Sequence, residues 1–355
     1  MPSLRIALDS MAGDHGSEDL VLGAIQAARD FNHEVVLVGD SQKLKNILTN
    51  LVRTISEQAG QKSDFRESIA TKITVVHASE VVGMDEAPLE ALRKKKDSSI
   101  SVAFQLAKNG EVDAVVSAGN SGATMAAAVK SLGRLTGVSR PGIAGIFPTL
   151  KKPLTMVDVG ANVDCRPKHL FQFAVMGAAL SQLLIHEENP RVGLLSIGEE
   201  RGKGNILVKK THEILTGSSL NYIGNVEGRE AFQGNVDVMV CDGFVGNVCL
   251  KLSEGLAEAM VSMLRDEIAK NFKAKVGYML SKKAFANFKK RTDYAEYGGA
   301  PLLGLDGTAI ICHGRSNALA IKNAINIAAE MVDKELNKLI STFLTDNSEA
   351  VSALE

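Results

Sequence analysis

Tryptophan is absent from this chain of 355 residues, aromatic side chains make up 5% of it, and cysteine occurs only four times. With so few rings, the 45% hydrophobic content rests on small and branched aliphatics, the composition of strands covered by helices on both faces. Cys165, Cys241, Cys249 and Cys312 show neither CxxC spacing nor a clustered histidine, which excludes a zinc site and leaves buried thiols in a reducing compartment. No apolar run reaches the roughly 18 residues that a membrane span requires. The first residues enter a strand with no basic-then-apolar leader, so a cytoplasmic location is expected. A net charge of −1 carries no nucleic-acid footprint.

Familiar catalytic signatures are missing too. After the first apolar run the glycines stand as Gly13-x-x-Gly16, and Gly202-Lys-Gly204 lacks a third glycine, which disfavours a dinucleotide fold of the Rossmann kind. Gly204 stands where a nucleotide-binding loop needs Ser or Thr for magnesium. His212-Glu213 lacks the second histidine of a metalloprotease helix, and no Gly-x-Ser-x-Gly elbow occurs. Neither a metal nor a cofactor is implied.

What is present begins with Asp113-Ala-Val-Val-Ser-Ala-Gly-Asn-Ser-Gly-Ala-Thr-Met125, an apolar strand that breaks into Ser117–Gly122 just before an alanine-rich helix. Glycines let backbone approach a ligand, and the new helix offers unpaired N–H groups to an anion. Similar exits follow the apolar runs ending at Asp9, Val159, Ser196, Asp242 and His313. In a parallel sheet such loops are expected to converge outside the carboxyl ends of the strands.

Apolar runs near 5–10, 34–39, 73–78, 113–118, 142–147, 154–159, 191–197, 221–226, 236–242 and 308–313 alternate with helical periods. They predict an α/β fold with a mostly parallel sheet, built as one two-lobed domain over 1–342 with a polar tail from 343 to 355. Residues 51–71 read as a polar surface excursion. Between 256 and 291, Leu256, Met260, Leu264, Ile268, Phe272, Val276, Leu280, Ala284 and Phe288 recur every fourth residue, predicting one long or broken amphipathic helix. Lys270, Lys273, Lys275, Lys282, Lys283, Lys289, Lys290 and Arg291 decorate it without an acid among them. Such a helix suits an anionic membrane surface or an acidic protein, unless its stripe packs on the body or on a second subunit.

Asn120, Ser121, Lys203, Asn205, Asn162, Asn247 and Arg315 can donate to oxyanions, and His15 and His313 can shuttle protons. Such a set suits a reaction whose anionic substrate is itself the nucleophile. Asp14 and Ser17 serve either as ligands or as caps of the helix beginning near Glu18; Asp158 and Asp242 either pin loop N–H groups or bind substrate.

At these loops the chain resembles the bacterial phosphate acyltransferase (PlsX) family. The resemblance rests on Met11-Ala-Gly-Asp-His15, Val82-Gly-Met-Asp-Glu-Ala-Pro88, Lys95-Lys-Asp-Ser-Ser99, Val116-Ser-Ala-Gly-Asn-Ser-Gly122, Asp158-Val-Gly-Ala-Asn-Val-Asp-Cys165, Lys203-Gly-Asn205, Val240-Cys-Asp-Gly-Phe-Val-Gly-Asn-Val248 and Asp293-Tyr-Ala-Glu-Tyr-Gly-Gly-Ala-Pro-Leu-Leu-Gly304. Ala12, Gly16-Ser17 and Ile206 depart from the family's usual residues.

The resemblance implies a three-layer fold like those of isopropylmalate dehydrogenase and phosphotransacetylase, and a homodimer attached peripherally to the membrane. It implies transfer of a fatty acyl group from acyl carrier protein to orthophosphate, giving acyl phosphate for a glycerol-3-phosphate acyltransferase of phospholipid synthesis. On that reading Asp14, Ser117, Gly119, Asn120, Ser121, Gly122, Asn205, Asp242, Asn247 and Arg315 bind substrate and phosphate, Asn162 and Lys203 assist catalysis, and His15 or His313 protonates the leaving thiolate. The lysines of 270–291, and Arg93 to Lys96, are then docking surfaces for acyl carrier protein or membrane. A decarboxylating dehydrogenase on the same fold, or a non-catalytic scaffold, are the alternatives.

Overall fold

The apolar run of β1 (Arg5–Asp9) sends alternate side chains to opposite cores: Ile6 and Leu8 join one buried cluster and Ala7 the other. In β2 (Glu34–Gly39), Val35 and Leu37 are divided from Val36 in the same way. Strands apolar on both faces need cover on both, so the sheet lies between two helical layers. The computed structural model describes residues 3–14, 16–58, 64–292 and 294–347.

The chain continues after β1 through α1 (Ser17–Phe31), β2, α2 (Ser41–Gln58), α3 (Asp64–Lys72), β3 (Ile73–His77), α4 (Pro88–Lys94) and α5 (Ser99–Lys108). Then come β4 (Ala114–Ser117), α6 (Ser121–Ser131), the antiparallel pair β5 (Gly142–Phe147) and β6 (Leu154–Val157), and α7 (Pro167–Leu180). Next are β7 (Val192–Leu195), α8 (Ile206–Thr216), β8 (Tyr222–Val226), β9 (Val238–Val240), α9 (Gly243–Lys270), α10 (Phe272–Leu280) and α11 (Lys282–Thr292). The last elements are β10 (Ala300–Leu303), β11 (Thr308–Ile311), α12 (Ala318–Asp333) and α13 (Leu336–Asp346). Residues of α1, α7, α12 and α13 build the core on one face of the sheet, and residues of α4, α5 and α6 build it on the other. α1 and α12 meet closely: a Cβ on Gly23 would lie 2.7 Å from the Ala318 carbonyl oxygen and from Ile321 Cβ.

Among the described residues the strands form a single 11-stranded sheet in the order β3-β2-β1-β4-β11-β10-β5-β6-β9-β7-β8. β3, β2, β1, β4 and β11 run parallel, β10 opposes both β11 and β5, and β5 opposes β6. Three successive antiparallel pairings reverse the direction, so β6, β9, β7 and β8 run opposite to β1, β4 and β11. The expected meeting of all the glycine-rich exits is therefore corrected. Those after β1, β4 and β11 leave one end of the sheet, and those after β6, β9 and β7 leave the other.

Three further expectations change. Residues 51–71 continue α2 to Gln58 and resume as α3 from Asp64; Leu51, Val52 and Ile55 pack against the core, and residues 59–63 lie outside the described residues. α13 extends to Asp346, and Asn347 is buried with its side-chain oxygen accepting from Ser219, so the chain stays packed past 343. Residues 348–355 lie outside the described residues. The amphipathic stretch is broken at Asn271, whose side chain accepts from the Lys273 N–H to cap α10, and again at Ser281. Its stripe does not reach the body: Leu256 is 63% exposed, Met260 61%, Phe272 80% and Leu280 81%. Among the described residues no helix is long and apolar enough to cross a membrane.

Candidate active site

At the carboxyl end of β4 the chain turns through Ala118-Gly119 into α6, and Asn120 caps that helix by accepting from the Ala123 N–H. The N–H groups of Ser121 and Gly122 open the first turn and, as helix geometry requires, have no intrahelical partner. Ser121 itself is exposed. Two neighbouring strand exits wall the turn. Gly13 adopts φ +101° after β1, a conformation that favours glycine, and a Cβ there would stand 3.3 Å from the Gly314 carbonyl oxygen. The Asp14 N–H donates to that same oxygen at 2.7 Å, joining the exits of β1 and β11. Glycine at 119 is also needed for space, because a Cβ would meet that of Ala12 at 2.9 Å.

A strap over residues 83–88 closes the cradle from above. Asn120 Nδ2 donates to the carbonyls of Met84 at 2.9 Å and Glu86 at 3.0 Å. Lys95 Nζ donates to the Val81 carbonyl and to the Glu86 carboxylate, which it holds below the usual carboxylate range. Gly122 has no room for a side chain, since a Cβ would lie 2.7 Å from Pro88 Cγ.

Asp9 lies beneath this cradle, and the sequence pattern passed over it as the end of an apolar run. It is 1% exposed; Ser117 Oγ donates to its Oδ2 at 2.9 Å, while Oδ1 is buried without a partner. Burial pushes its carboxyl up, against the lowering effects of the Ser99 and Ser117 hydroxyls and the Met11 N–H. Ser117 Oγ in turn accepts from the Gly119 N–H, so the carboxyl, the hydroxyl and the cradle backbone form one chain of hydrogen bonds.

Of the expected site residues, this end of the sheet gathers Asp14, Ser117, Gly119, Asn120, Ser121, Gly122, His313 and Arg315. Asp14, His313 and Arg315 are exposed at its rim. His313 Nδ1 accepts from the Arg315 N–H at 3.1 Å, which leaves Nε2 to carry the proton of the neutral ring. His15 lies outside the described residues. Asp14 and Ser17 do not cap α1, whose cap position is Gly16 with no side-chain bond; Ser17 is buried with its hydroxyl directed at Met11 sulfur.

The opposite end holds the other expected residues. Asp158 is fully buried, and its Oδ1 accepts from the N–H groups of Ile143, Gly160 and Ala161, so it pins loops. Burial raises its carboxyl, with the Ala161 N–H and the Asn162 amide among the opposing effects. Asn162 was expected to assist at an oxyanion; instead both its amide hydrogens are engaged, on the Pro141 carbonyl at 2.7 Å and Asp158 Oδ2 at 2.9 Å. Asp242 caps α9 by accepting from the Val245 N–H at 2.9 Å. The start of that helix is pressed on the Asp158 loop so closely that a Cβ on Gly246 would stand 1.9 Å from the Asp158 carbonyl oxygen. Asn247 is exposed beside Gly160. Asn205 caps α8 through Oδ1, and Lys203, exposed two residues earlier, has no acidic partner among the described residues.

No thiol is activated near either end. Burial pushes Cys165 and Cys312 each up to about 12 and raises Cys241 well above the ordinary thiol value, the environment of inert core thiols. Polar residues at the strand exits thus divide into caps and pins, such as Asn120, Asp158, Asn205 and Asp242, and exposed donors, such as Ser121, Arg315, Lys203 and Asn247, with both kinds at each end of the sheet. Asp9 could have been found from its position alone, one residue before Ser10-Met11 at the mouth of the first loop.

The family model described as "Fatty acid synthesis protein" matches residues 4–339. A phosphate acyltransferase of Geotalea uraniireducens is 54% identical over 344 residues, 97% of this chain and 95% of its own length. One from Geobacter sulfurreducens is 54% identical over 338 residues, covering 95% and 93%. Among solved structures, a phosphotransacetylase from Streptococcus pyogenes aligns over 94% of each chain with a TM-score of 0.60 at 18% identity. The EutD phosphotransacetylase from Staphylococcus aureus covers 93% of this chain and 94% of its own, with a TM-score of 0.54 at 15% identity. At such identities these two speak for a shared α/β fold. With its own family model matched almost end to end and relatives more than half identical, the chain belongs to the phosphate acyltransferase family.

Proposed function

We propose that this enzyme transfers a fatty acyl group from the thioester of acyl carrier protein to orthophosphate, giving acyl phosphate for phospholipid synthesis. The observation that carries the reading is the cradle at the start of α6. There the Ser121 and Gly122 N–H groups, the Ser121 hydroxyl and the exposed Arg315 offer donors to one small anion. Orthophosphate needs positioning rather than deprotonation. One of its oxygens attacks the thioester carbonyl carbon, a C–O bond forms, and the C–S bond breaks. The leaving thiolate takes a proton from His15 or His313; such general-acid help is worth about 10²- to 10⁴-fold.

In one chain the cradle and Lys203–Asn205 stand at opposite ends of the sheet. A site that uses both draws them from two copies, which supports a homodimer whose lobes join at β10 and β5. The exposed apolar stripe and basic residues of α9 to α11 suit peripheral attachment to an anionic membrane, where a glycerol-3-phosphate acyltransferase would consume the product. The side chain of Lys289 lies outside the described residues. The test is thiol release from palmitoyl-acyl carrier protein with and without orthophosphate, trapping product with hydroxylamine. Phosphate-dependent release with a trapped hydroxamate is expected; release that ignores phosphate would mark a thioesterase.

A further inference from the structure

A groove of about 430 Å³ opens between α4, α5 and α6, away from the cradle. Leu92, Val102, Leu106 and Ala127 supply its apolar wall, and Lys96 and Lys130 stand at its edges. Both lysines are exposed, and neither has an acidic partner among the described residues. Their neighbours differ, since Lys94 pairs with Glu90 and Lys95 with Glu86. The acid inside the groove, Asp97, is already engaged by the Ser79 N–H and hydroxyl. Those neutral donors keep Asp97 ionised, so the two lysines against its one carboxylate leave the groove with a single net positive charge, at its edges.

Ala127 is also six residues along α6 from Ser121, about 9 Å at the rise of an α-helix. α4 begins at Pro88, which touches Gly122 in the cradle. A body seated in this groove thus lies a short arm's length from the anion site.

We infer that this groove receives an acidic amphipathic helix of the protein that carries the acyl thioester, its apolar side chains entering between α5 and α6 and its carboxylates meeting Lys96 and Lys130. A concave slot that mixes four apolar side chains with Ser101, Gln105 and Ser131 and carries lysines at its edges fits an amphipathic helix better than it fits a flat bilayer. The inference rests on the acyltransfer reading and gives its donor a docking place separate from α9 to α11.

The test compares wild type with K96E/K130E, measuring acyl hydroxamate formation from palmitoyl-acyl carrier protein at saturating phosphate. The KM for the carrier substrate should rise about tenfold or more in the variant, with kcat within about twofold and an unchanged melting temperature, because edge charges govern encounter. Raising the salt should increase the wild-type KM more steeply than the variant's. K43E/K45E on α2, in the opposite helical layer, should keep the wild-type KM. An active wild type with an unchanged K96E/K130E overturns the docking alone, as does a defect confined to sedimentation with anionic vesicles. A wild type that forms no acyl phosphate overturns the acyltransfer reading and the docking together.

Discussion

Ser117 donates its hydroxyl hydrogen to the buried carboxyl of Asp9 across 2.9 Å, tying β4 to β1 directly beneath the anion cradle. Replacing Ser117 by Ala removes the hydroxyl that donates to Asp9 Oδ2 in a site sealed from water. An unsatisfied buried acceptor costs about 1–3 kcal/mol. Denaturant unfolding of Ser117→Ala should show a loss of that size, and turnover should fall with it because the Gly119 N–H also loses its acceptor. A variant as stable as wild type would remove this bond from the account.

Asp9 gives a pH dependence of defined sign. Its folded carboxyl is raised above the ordinary value near 3.8, so the folded state binds more protons than the unfolded one in the window from 3.8 upward. Its contribution to stability is therefore greatest in acid and declines as pH rises through that window. Asp9→Asn cannot ionise. The melting temperature of Asp9→Asn relative to wild type should increase between about pH 4 and pH 8; a constant or decreasing difference would contradict the assignment.

Asn162 separates a structural role from a catalytic one. With both amide hydrogens on Pro141 and Asp158, Asn162→Ala should cost stability, about 1–3 kcal/mol for the acceptors it abandons. The kcat of the folded fraction should stay near wild type. A loss of about 10²- to 10³-fold in kcat with normal stability would instead mark an oxyanion donor.

Gly246→Ala places a methyl group 1.9 Å from the Asp158 carbonyl oxygen, and that atom is backbone. The start of α9 has to move away from the loop or the loop must break its four bonds to the Asp158 carboxylate. Poor expression or a melting temperature lower by several degrees is expected, whereas Gly255→Ala, with open space around it, should be neutral or stabilising.

The shared-site reading predicts complementation. Ser121→Ala and Lys203→Ala should each be nearly inactive, yet mixing them through unfolding and refolding should restore about a quarter of wild-type activity, since half of the dimers are mixed and each holds one intact site. Mixtures no more active than their components would place both residues' work within single chains.

Much of the fold was legible because apolar runs with glycine-rich exits signal buried strands by composition alone. Strand direction was not, since it depends on how strands pair. β10 escaped notice because Ala300-Pro-Leu-Leu303 follows two glycines and contains a proline that reads as a turn. That short strand, with the β5–β6 pair, reverses half the sheet. Candidate donors were harder to sort because caps and anion ligands are the same residue types: Asn120, Asn205 and Asp242 each cap a helix, and only the partner atoms distinguish the roles. Asp9 escaped because a carboxylate closing an apolar run gives no periodic signal, although its burial beside Ser117 makes it central to the cradle.

The most direct measurement follows radiolabelled orthophosphate through one turnover with palmitoyl-acyl carrier protein. Label should enter a lipid-extractable, hydroxylamine-sensitive product in one-to-one ratio with the thiol released, and Ser121→Ala should lose label and thiol together. Thiol released without label in the product would contradict acyl transfer to phosphate.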